Sequence, residues 1–189
     1  MHIGLEEYRA IKRISKRDAD YDTFRREALV LKELRHPGIP MIYDLEEDSE
    51  FFYLIEEYLE GYSLYALIAN QGPIQEAEAV RYGMQVCGLV AYMHSACELP
   101  ILHLDLQPNN LIICNGTVKL IDFDHAAGCR WANIAPKRFG TVGCAAPEQY
   151  ASDRMLDQRT DIYAIGAVLR FMLTGTLKQG GFAPQIVTE

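Results

Sequence analysis

The run LIICNGTVKLI, residues 111 to 121, constrains the fold of this chain more than any other stretch. Two β-rich segments flank an Asn-Gly pair, which is the strongest short-range signal for a tight hairpin. Immediately before it, residues 103 to 110 read HLDLQPNN. A structural turn needs one or two small polar residues. This loop carries a histidine, an aspartate, a proline and two asparagines, so it is expected to position a hydroxyl and a metal ion.

The patterning on either side sets the architecture. Residues 8 to 14, YRAIKRI, alternate as a strand with Ala10, Lys12 and Ile14 on one face. Residues 20 to 35 have the period of an amphipathic helix, with Phe24, Ala28, Leu31 and Leu34 inward, and HPG at 36 to 38 ends it. Strands are expected near 39 to 45 and 51 to 57, around the acidic turn EEDSE. Ser63 would cap a short helix that stops near Gly72. Pro73 opens a long helix over about 75 to 96, with Val80, Met84, Cys87 and Ala91 as its apolar side.

Residues 122 to 157 lack periodicity and predict an extended functional loop. A last helix over about 160 to 173 would turn Ile162, Ile165, Leu169 and Met172 inward and stop at Gly175. Strands and one helix, then mostly helices, predict an α+β fold of a small sheet lobe followed by a helical lobe.

Composition narrows the function. A formal charge of −8 argues against nucleic acid or an anionic membrane as the main partner. An apolar share of 49% is that of an ordinary globular protein, and no apolar run is long enough to span a bilayer. The five cysteines, at 87, 97, 114, 129 and 144, form no CxxC pair. A reduced, cytoplasmic protein without a zinc site is expected.

Two groups of residues point to chemistry. Glu27 falls on the apolar face of its helix, where a bare carboxylate is costly, and Lys12 is the nearest cation by order of elements. Such a pair can hold an ammonium toward phosphate. Asp105 and Asn110 share the polar loop, and Asp122 follows the hairpin in LIDFD. Asn110 and Asp122 suit magnesium, which rarely takes an all-protein cage. Asp105 is left to orient a hydroxyl.

These motifs resemble those of the protein kinase family. AIK at 10 to 12 looks like the end of V-A-I-K, and Glu27 matches the helix glutamate that pairs with its lysine. HLDLQPNN resembles the catalytic loop, DFD at 122 to 124 resembles D-F-G, and APE at 146 to 148 matches outright. GTVGCAAPEQY, 140 to 150, is similar to the segment before A-P-E in bacterial serine/threonine kinases. EEYLEGYSL, 56 to 64, resembles the hinge between lobes, and DIYAIG, 161 to 166, the central helix.

The resemblance implies a partial small lobe over 1–57, a hinge at 58–62 and a partial helical lobe over 63–189. It implies transfer of the ATP γ-phosphoryl group, with Mg2+, to a serine or threonine of a protein substrate. Lys12 would hold phosphates, Glu27 would hold Lys12, and Ala10 would line the nucleotide site. Backbone groups around Glu57 and Leu59 would meet adenine. Asn110 and Asp122 would bind the metal. Asp105 would take or orient the hydroxyl proton, with Gln107 and Thr141 beside it. His103 and Asp161 would brace the loop.

Four departures bear on activity. Only seven residues precede YRAIK, leaving no glycine-rich loop, and the chain stops soon after Gly175. That early stop would leave Glu148 without an obvious partner. It would also expose an apolar face with some of Ile165, Val168, Leu169 and Met172, inviting self-association. Leu104 and Gln107 stand where the family has arginine and lysine. Asp124 replaces the glycine of D-F-G, as a solvated turn residue or an extra carboxylate near the metal. Weak, magnesium-dependent nucleotide binding is expected. Two other readings remain: a non-catalytic kinase-like binding module, and a small-molecule phosphotransferase, which the A-P-E segment speaks against.

Overall fold

The computed structural model describes residues 7–17, 21–128, 140–151 and 155–177. The first layer is an antiparallel sheet of β1 (Arg9–Ser15), β2 (Ile42–Glu47) and β3 (Phe51–Glu57), ordered β1-β3-β2. Its register sets Ala10 opposite Glu56 and Lys12 opposite Leu54. Helix α1 (Tyr21–Glu33) buries Phe24, Ala28 and Leu31 against this sheet, and Phe24 stacks on Phe52 at 4.9 Å. Truncating a buried phenylalanine of this kind costs about 3–5 kcal/mol. Asp48 closes the β2–β3 turn by accepting hydrogen bonds from the Glu50 and Phe51 amides at 2.7 and 2.8 Å.

One short strand and two helices follow the sheet. β4 (Tyr62–Ser63) leads into α2 (Leu64–Gln71). As the sequence implies, Ser63 Oγ accepts the Ala66 amide at 3.1 Å, and Gly72 ends the helix at φ 82°. α3 (Glu76–Ser95) is the long helix. The Tyr92 hydroxyl ties it to the end of α1 by accepting from the Arg35 amide at 2.7 Å.

After β5 (Ile101–Leu102) the polar loop ends in a 3-10 turn, Pro108–Asn110. The hairpin is β6 (Leu111–Cys114) and β7 (Thr117–Leu120), with Asn115 and Gly116 both left-handed at φ 49° and 79°. β4 adds to its edge, and the Leu120 amide donates to Gly38 O at 2.8 Å, docking the hairpin on the first layer. β8 (Ala127–Gly128) pairs with β5. α4 (Gln158–Thr174) is capped by Asp157, which accepts from the Arg159 amide at 2.9 Å, and stops at left-handed Gly175. One continuous apolar core runs from Phe24 through α3 and the hairpin to Met172.

The two long helices correct the expected inward faces. On α3, Val80 and Met84 are 52% and 70% exposed, and Cys87 and Ala91 are also outside. The buried side is Ala79, Tyr82, Gly83, Val86, Leu89, Val90 and Met93. This helix is apolar on two sides, so periodicity alone did not choose between them. Tertiary contacts do. At Gly83 a Cβ would lie 2.6 Å from Leu169 Cδ2 of α4, so a larger residue there would have to displace that leucine side chain. Gln85 completes the choice by bonding both Gly116 O and the Val118 amide of the hairpin, at 3.2 and 2.9 Å.

On α4, Ile162 is 57% exposed, while Ile165 and Met172 are buried and Leu169 partly so. The expected bare face of Ile165, Val168, Leu169 and Met172 is therefore largely covered. The large exposed apolar residues of these helices are Ile162, Leu173, Val80 and Met84. No helix among the described residues is long and apolar enough to cross a membrane. The expected long loop contains β8 and a second 3-10 turn, Pro147–Tyr150; its residues 129–139 and 152–154 lie outside the described residues.

Candidate active site

One lysine gathers three carboxylates from two distant parts of the chain. Lys12 projects from the face of β1 that α1 covers, and its Nζ lies 3.2 and 3.1 Å from the two oxygens of Glu27. Asp122 Oδ1 is 3.0 Å away and Asp124 Oδ1 is 2.5 Å away. Glu27 is buried and also accepts the Phe123 amide at 3.2 Å. It thus joins α1, β1 and the segment after the hairpin.

Burial and the neighbouring Asp124 push the Glu27 carboxyl up to about 8, against the pull of Lys12. Burial acts to lower the Lys12 pKa, but Glu27, Asp124 and Asp122 outweigh it and hold the ammonium above its usual value. Burial opposes ionisation of Asp124 as well. Its hydrogen bonds with Glu27 and Lys12 prevail and lower its pKa.

Asp124 is thus neither a plain solvated turn residue nor the left-handed position. The left-handed backbone falls at Asp122, φ 64°, a residue type that tolerates it better than most. Glu27, Asp122 and Asp124 offer oxygens within 4.8 Å of one another. The Lys12 ammonium already balances that group.

The polar loop forms a second constellation around Asp105. Thr141 Oγ1 donates to Asp105 Oδ1 at 2.8 Å, and Gln107 Nε2 donates to Oδ2 at 2.8 Å. Asn110 Nδ2 donates to the Asp105 carbonyl at 2.9 Å and to Oδ2 at 3.2 Å. These bonds leave the Asn110 Oδ1 as its ligand-capable atom. The Ile121 amide donates to the Asn110 carbonyl at 2.9 Å, which keeps Asn110 beside the Asp122 segment. An amide oxygen and a carboxylate are the donor chemistry that magnesium takes, so the residues fit that ion.

The loop holds this shape through a strained residue. Leu104 is left-handed at φ 66°, an unusual state for a leucine. Fully buried Asp161 compensates by accepting the His103 and Leu104 amides at 3.0 and 2.9 Å, and it also bonds His94 Nε2 at 2.8 Å. Gln149 Nε2 donates to Leu104 O at 2.7 Å from the other side. His103 lies 3.3 Å from Ile121 O through Nε2 and 3.3 Å from the Asp105 amide through Nδ1, which assigns the proton to Nε2. Burial lowers its pKa and keeps it neutral. The Leu104 side chain, with Leu102 and Leu156, forms a small apolar cluster where the family has a charged arginine.

A cleft of about 260 Å³ opens between Ala10, Ile11 and Lys12 on one side and Ile121 and Asp122 on the other, with Glu56 also in its wall. Glu57 carries side-chain duties beside it. Its carboxylate takes Lys119 at 3.0 Å and the Met41 amide at 3.3 Å, and its own amide donates to Met41 O at 2.9 Å. Leu59 is half-buried at the start of the connection to β4.

The structure therefore brings Lys12, Glu27 and Asp122 together, and separately Asp105, Gln107, Asn110 and Thr141. Sequence reasoning missed Gln149, Glu56 and the Asp124–Lys12 contact. The strand alternation that puts Glu56 on the face of Leu54 was the available signal for one of them. It also left Glu148 unpartnered, whereas Thr160 Oγ1 donates to Glu148 Oε1 at 3.0 Å.

The chain belongs to the protein kinase family: the protein kinase domain model matches residues 1–181. It is 35% identical to the serine/threonine-protein kinase PrkC of Bacillus subtilis over 161 residues, 84% of this chain and 24% of that protein. It is 30% identical to the putative sperm motility kinase W of Mus musculus, over 92% of this chain and 34% of that protein. A probable serine/threonine-protein kinase KIN1 homolog of Enterocytozoon bieneusi is 34% identical, over 89% of this chain and 28% of that protein. The chain thus spans between 24% and 34% of the length of these relatives.

Proposed function

We propose that this chain is a serine/threonine protein kinase domain of bacterial type, in partial form, with residues 1–57 and 63–189 as its two lobes around a hinge at 58–62. The observation that carries the reading is the Thr141–Asp105–Gln107 arrangement. Together with Asn110 Nδ2, these donors orient the Asp105 carboxylate beside a segment able to receive a peptide. Across the cleft, Lys12 is fixed by Glu27 where it can meet the phosphates of ATP.

In this mechanism Asp105 receives the proton of the substrate hydroxyl as its oxygen forms a bond to the γ-phosphorus. The bridging oxygen–phosphorus bond to ADP breaks, and Lys12 steadies the phosphates that leave. Gln107 orients Asp105 and donates hydrogen bonds, but it adds no charge to the transition state. A magnesium ion held by Asn110 and Asp122 would supply charge neutralisation on the phosphates. Thr141 on Asp105 and the buried prop of Leu104 keep the acceptor end in place. The free cysteines among the described residues fit a reducing, cytoplasmic setting.

The test is transfer of labelled γ-phosphate from ATP to a generic serine/threonine protein substrate, compared with Asp105→Asn. Transfer by the wild type that the variant loses supports the reading. Nucleotide binding without transfer favours the second reading, a non-catalytic binding module, for which the capture of Lys12 by Asp124 is the favouring observation.

A further inference from the structure

A groove of about 790 Å³ lies between α1 and β2 and shares no lining residue with the cleft beside Lys12. Ala28 and Leu31 of α1, with Leu34 and Ile39 just beyond it, supply buried apolar surface to the groove. Leu29 of α1 and, from the β2 side, Met41 and Leu45 add exposed apolar side chains. Leu45 is opposite buried Leu54, on the face of the sheet that α1 covers, whereas Asp44 and Glu46 alternate to the other face.

The charges around the groove are one-sided. Arg25, Leu29 and Lys32 fall at i, i+4 and i+7 of α1, so they share one stripe of the helix. Arg35 follows just past its end. Lys119 and Glu57 satisfy each other at 3.0 Å, and His36 Nδ1 accepts the Gly38 amide at 3.0 Å. Arg25, Lys32 and Arg35 remain, exposed and without a carboxylate partner among the described residues. This local excess of positive charge stands in a chain of formal charge −8.

Charge and shape together decide the occupant. The negative charge of the whole molecule repels a long polyanion, such as a nucleic-acid duplex or an anionic bilayer, whose charges extend beyond the groove. A short segment feels chiefly the cations within a Debye length, roughly 8 Å at physiological salt. A sugar-phosphate backbone would also leave the apolar lining unfilled, whereas bulky apolar side chains of a peptide fill it. We propose that the groove docks an acidic peptide segment of a partner protein. Leucine or phenylalanine anchors sit among Leu29, Met41 and Leu45, and aspartates or glutamates turn to Arg25, Lys32 and Arg35. The stripe from Arg25 to Lys32 is roughly 10 Å long, which matches two turns of an amphipathic helix laid along it. This docking does not depend on phosphoryl transfer.

Selection from a phage-displayed library of random peptides, each roughly twelve residues and so longer than the stripe, tests the inference. The wild-type chain is compared with the double variant Arg25→Glu/Lys32→Glu and with Leu29→Ser, with thermal melts to establish that each is folded. Peptides enriched on the wild type are expected to combine Asp or Glu with Leu or Phe. By fluorescence anisotropy they bind the wild type roughly ten- to thirtyfold more tightly than the double variant, as two exposed ion pairs turned to repulsion would give. Added salt narrows that gap. Leu29→Ser weakens binding at every salt concentration, and Arg159→Glu, a reversal outside the groove, leaves it unchanged. Equal affinity for the wild type and the folded double variant overturns the inference, as does enrichment without acidic bias or no enrichment at all. Binding of duplex DNA or phosphatidylserine vesicles that the double variant loses also overturns it. So does a dimer in sedimentation velocity that the double variant dissolves, because each result assigns the same cations to another occupant.

Discussion

Asp124 Oδ1 lies 2.5 Å from the Lys12 ammonium, nearer than Asp122 or either oxygen of Glu27. The residue that replaces a glycine of the family motif has become the closest partner of the lysine proposed to meet phosphate. A phosphate oxygen and Asp124 compete for the same donor. Nucleotide binding therefore includes the free energy of releasing that carboxylate.

Asp124→Asn keeps the shape and removes the charge. The pair is partly solvated, with the two side chains 26% and 42% exposed, so the competition is modest. Calorimetry with ATP and magnesium is expected to show roughly two- to fivefold tighter binding in the variant. Weaker magnesium-dependent binding would instead make Asp124 a helper of the metal, and the competition argument would fail.

The second prediction concerns the loop's support. Fully buried Asp161 accepts two backbone amides around left-handed Leu104 and bonds His94. Asp161→Ala strands those donors and frees a strained residue. A loss of about 3–5 kcal/mol is expected in denaturant unfolding, in line with breaking a buried charged network. A loss under about 1 kcal/mol would mean that Leu104 holds its conformation by packing alone.

His103 gives a pH prediction with a definite sign. Its folded pKa is depressed below the ordinary 6.5 by burial, so the unfolded chain binds the proton more readily. Its contribution to stability is complete above about 6.5 and is lost as the pH falls. Glu27, whose carboxyl is raised to about 8, acts in the opposite sense, so only a difference isolates the histidine. Thermal melts between pH 7.5 and 5.5 are expected to fall more steeply for the wild type than for His103→Gln. Parallel curves would show that His103 does not titrate on unfolding in this range.

The long elements were legible because they are periodic. The Asn-Gly hairpin, α1 and the Ser63 cap needed only local residues, and each lies where the sequence implies. β4, β5 and β8 have two residues each and so carry no period to read. The inward face of α3 was decided by Gly83 meeting Leu169 and by Gln85 reaching the hairpin, neither of which periodicity can express. In the site, Glu27 was readable as a charge on an apolar face. The Asp124 contact was not, because it depends on where the hairpin delivers residues 122–124 against α1. Gln149 acts across a sequence separation of 45 residues on a backbone carbonyl, and its type alone gives no hint of that.

The last prediction joins Leu104 to Thr141. A phosphate on the segment from Asp122 to Glu148 would need a hydroxyl to carry it and a cation to receive it. That segment contains no serine or tyrosine, and its single threonine is Thr141. Thr141 donates to Asp105 at 2.8 Å, so phosphorylation would remove the donor and set a dianion against a carboxylate. The residue before Asp105 is Leu104, buried with Leu102 and Leu156, where no charge-assisted bond can form. An active form is therefore expected to carry no phosphate on this segment. Thr141→Ala is expected to lower kcat roughly ten- to a hundredfold through lost positioning of Asp105, and Thr141→Glu to do no better. Intact-mass and peptide mass spectrometry check the first expectation. Stoichiometric phosphate on Thr141 in the active protein, with activity lost on phosphatase treatment, would show that the segment is switched by a route this geometry does not provide.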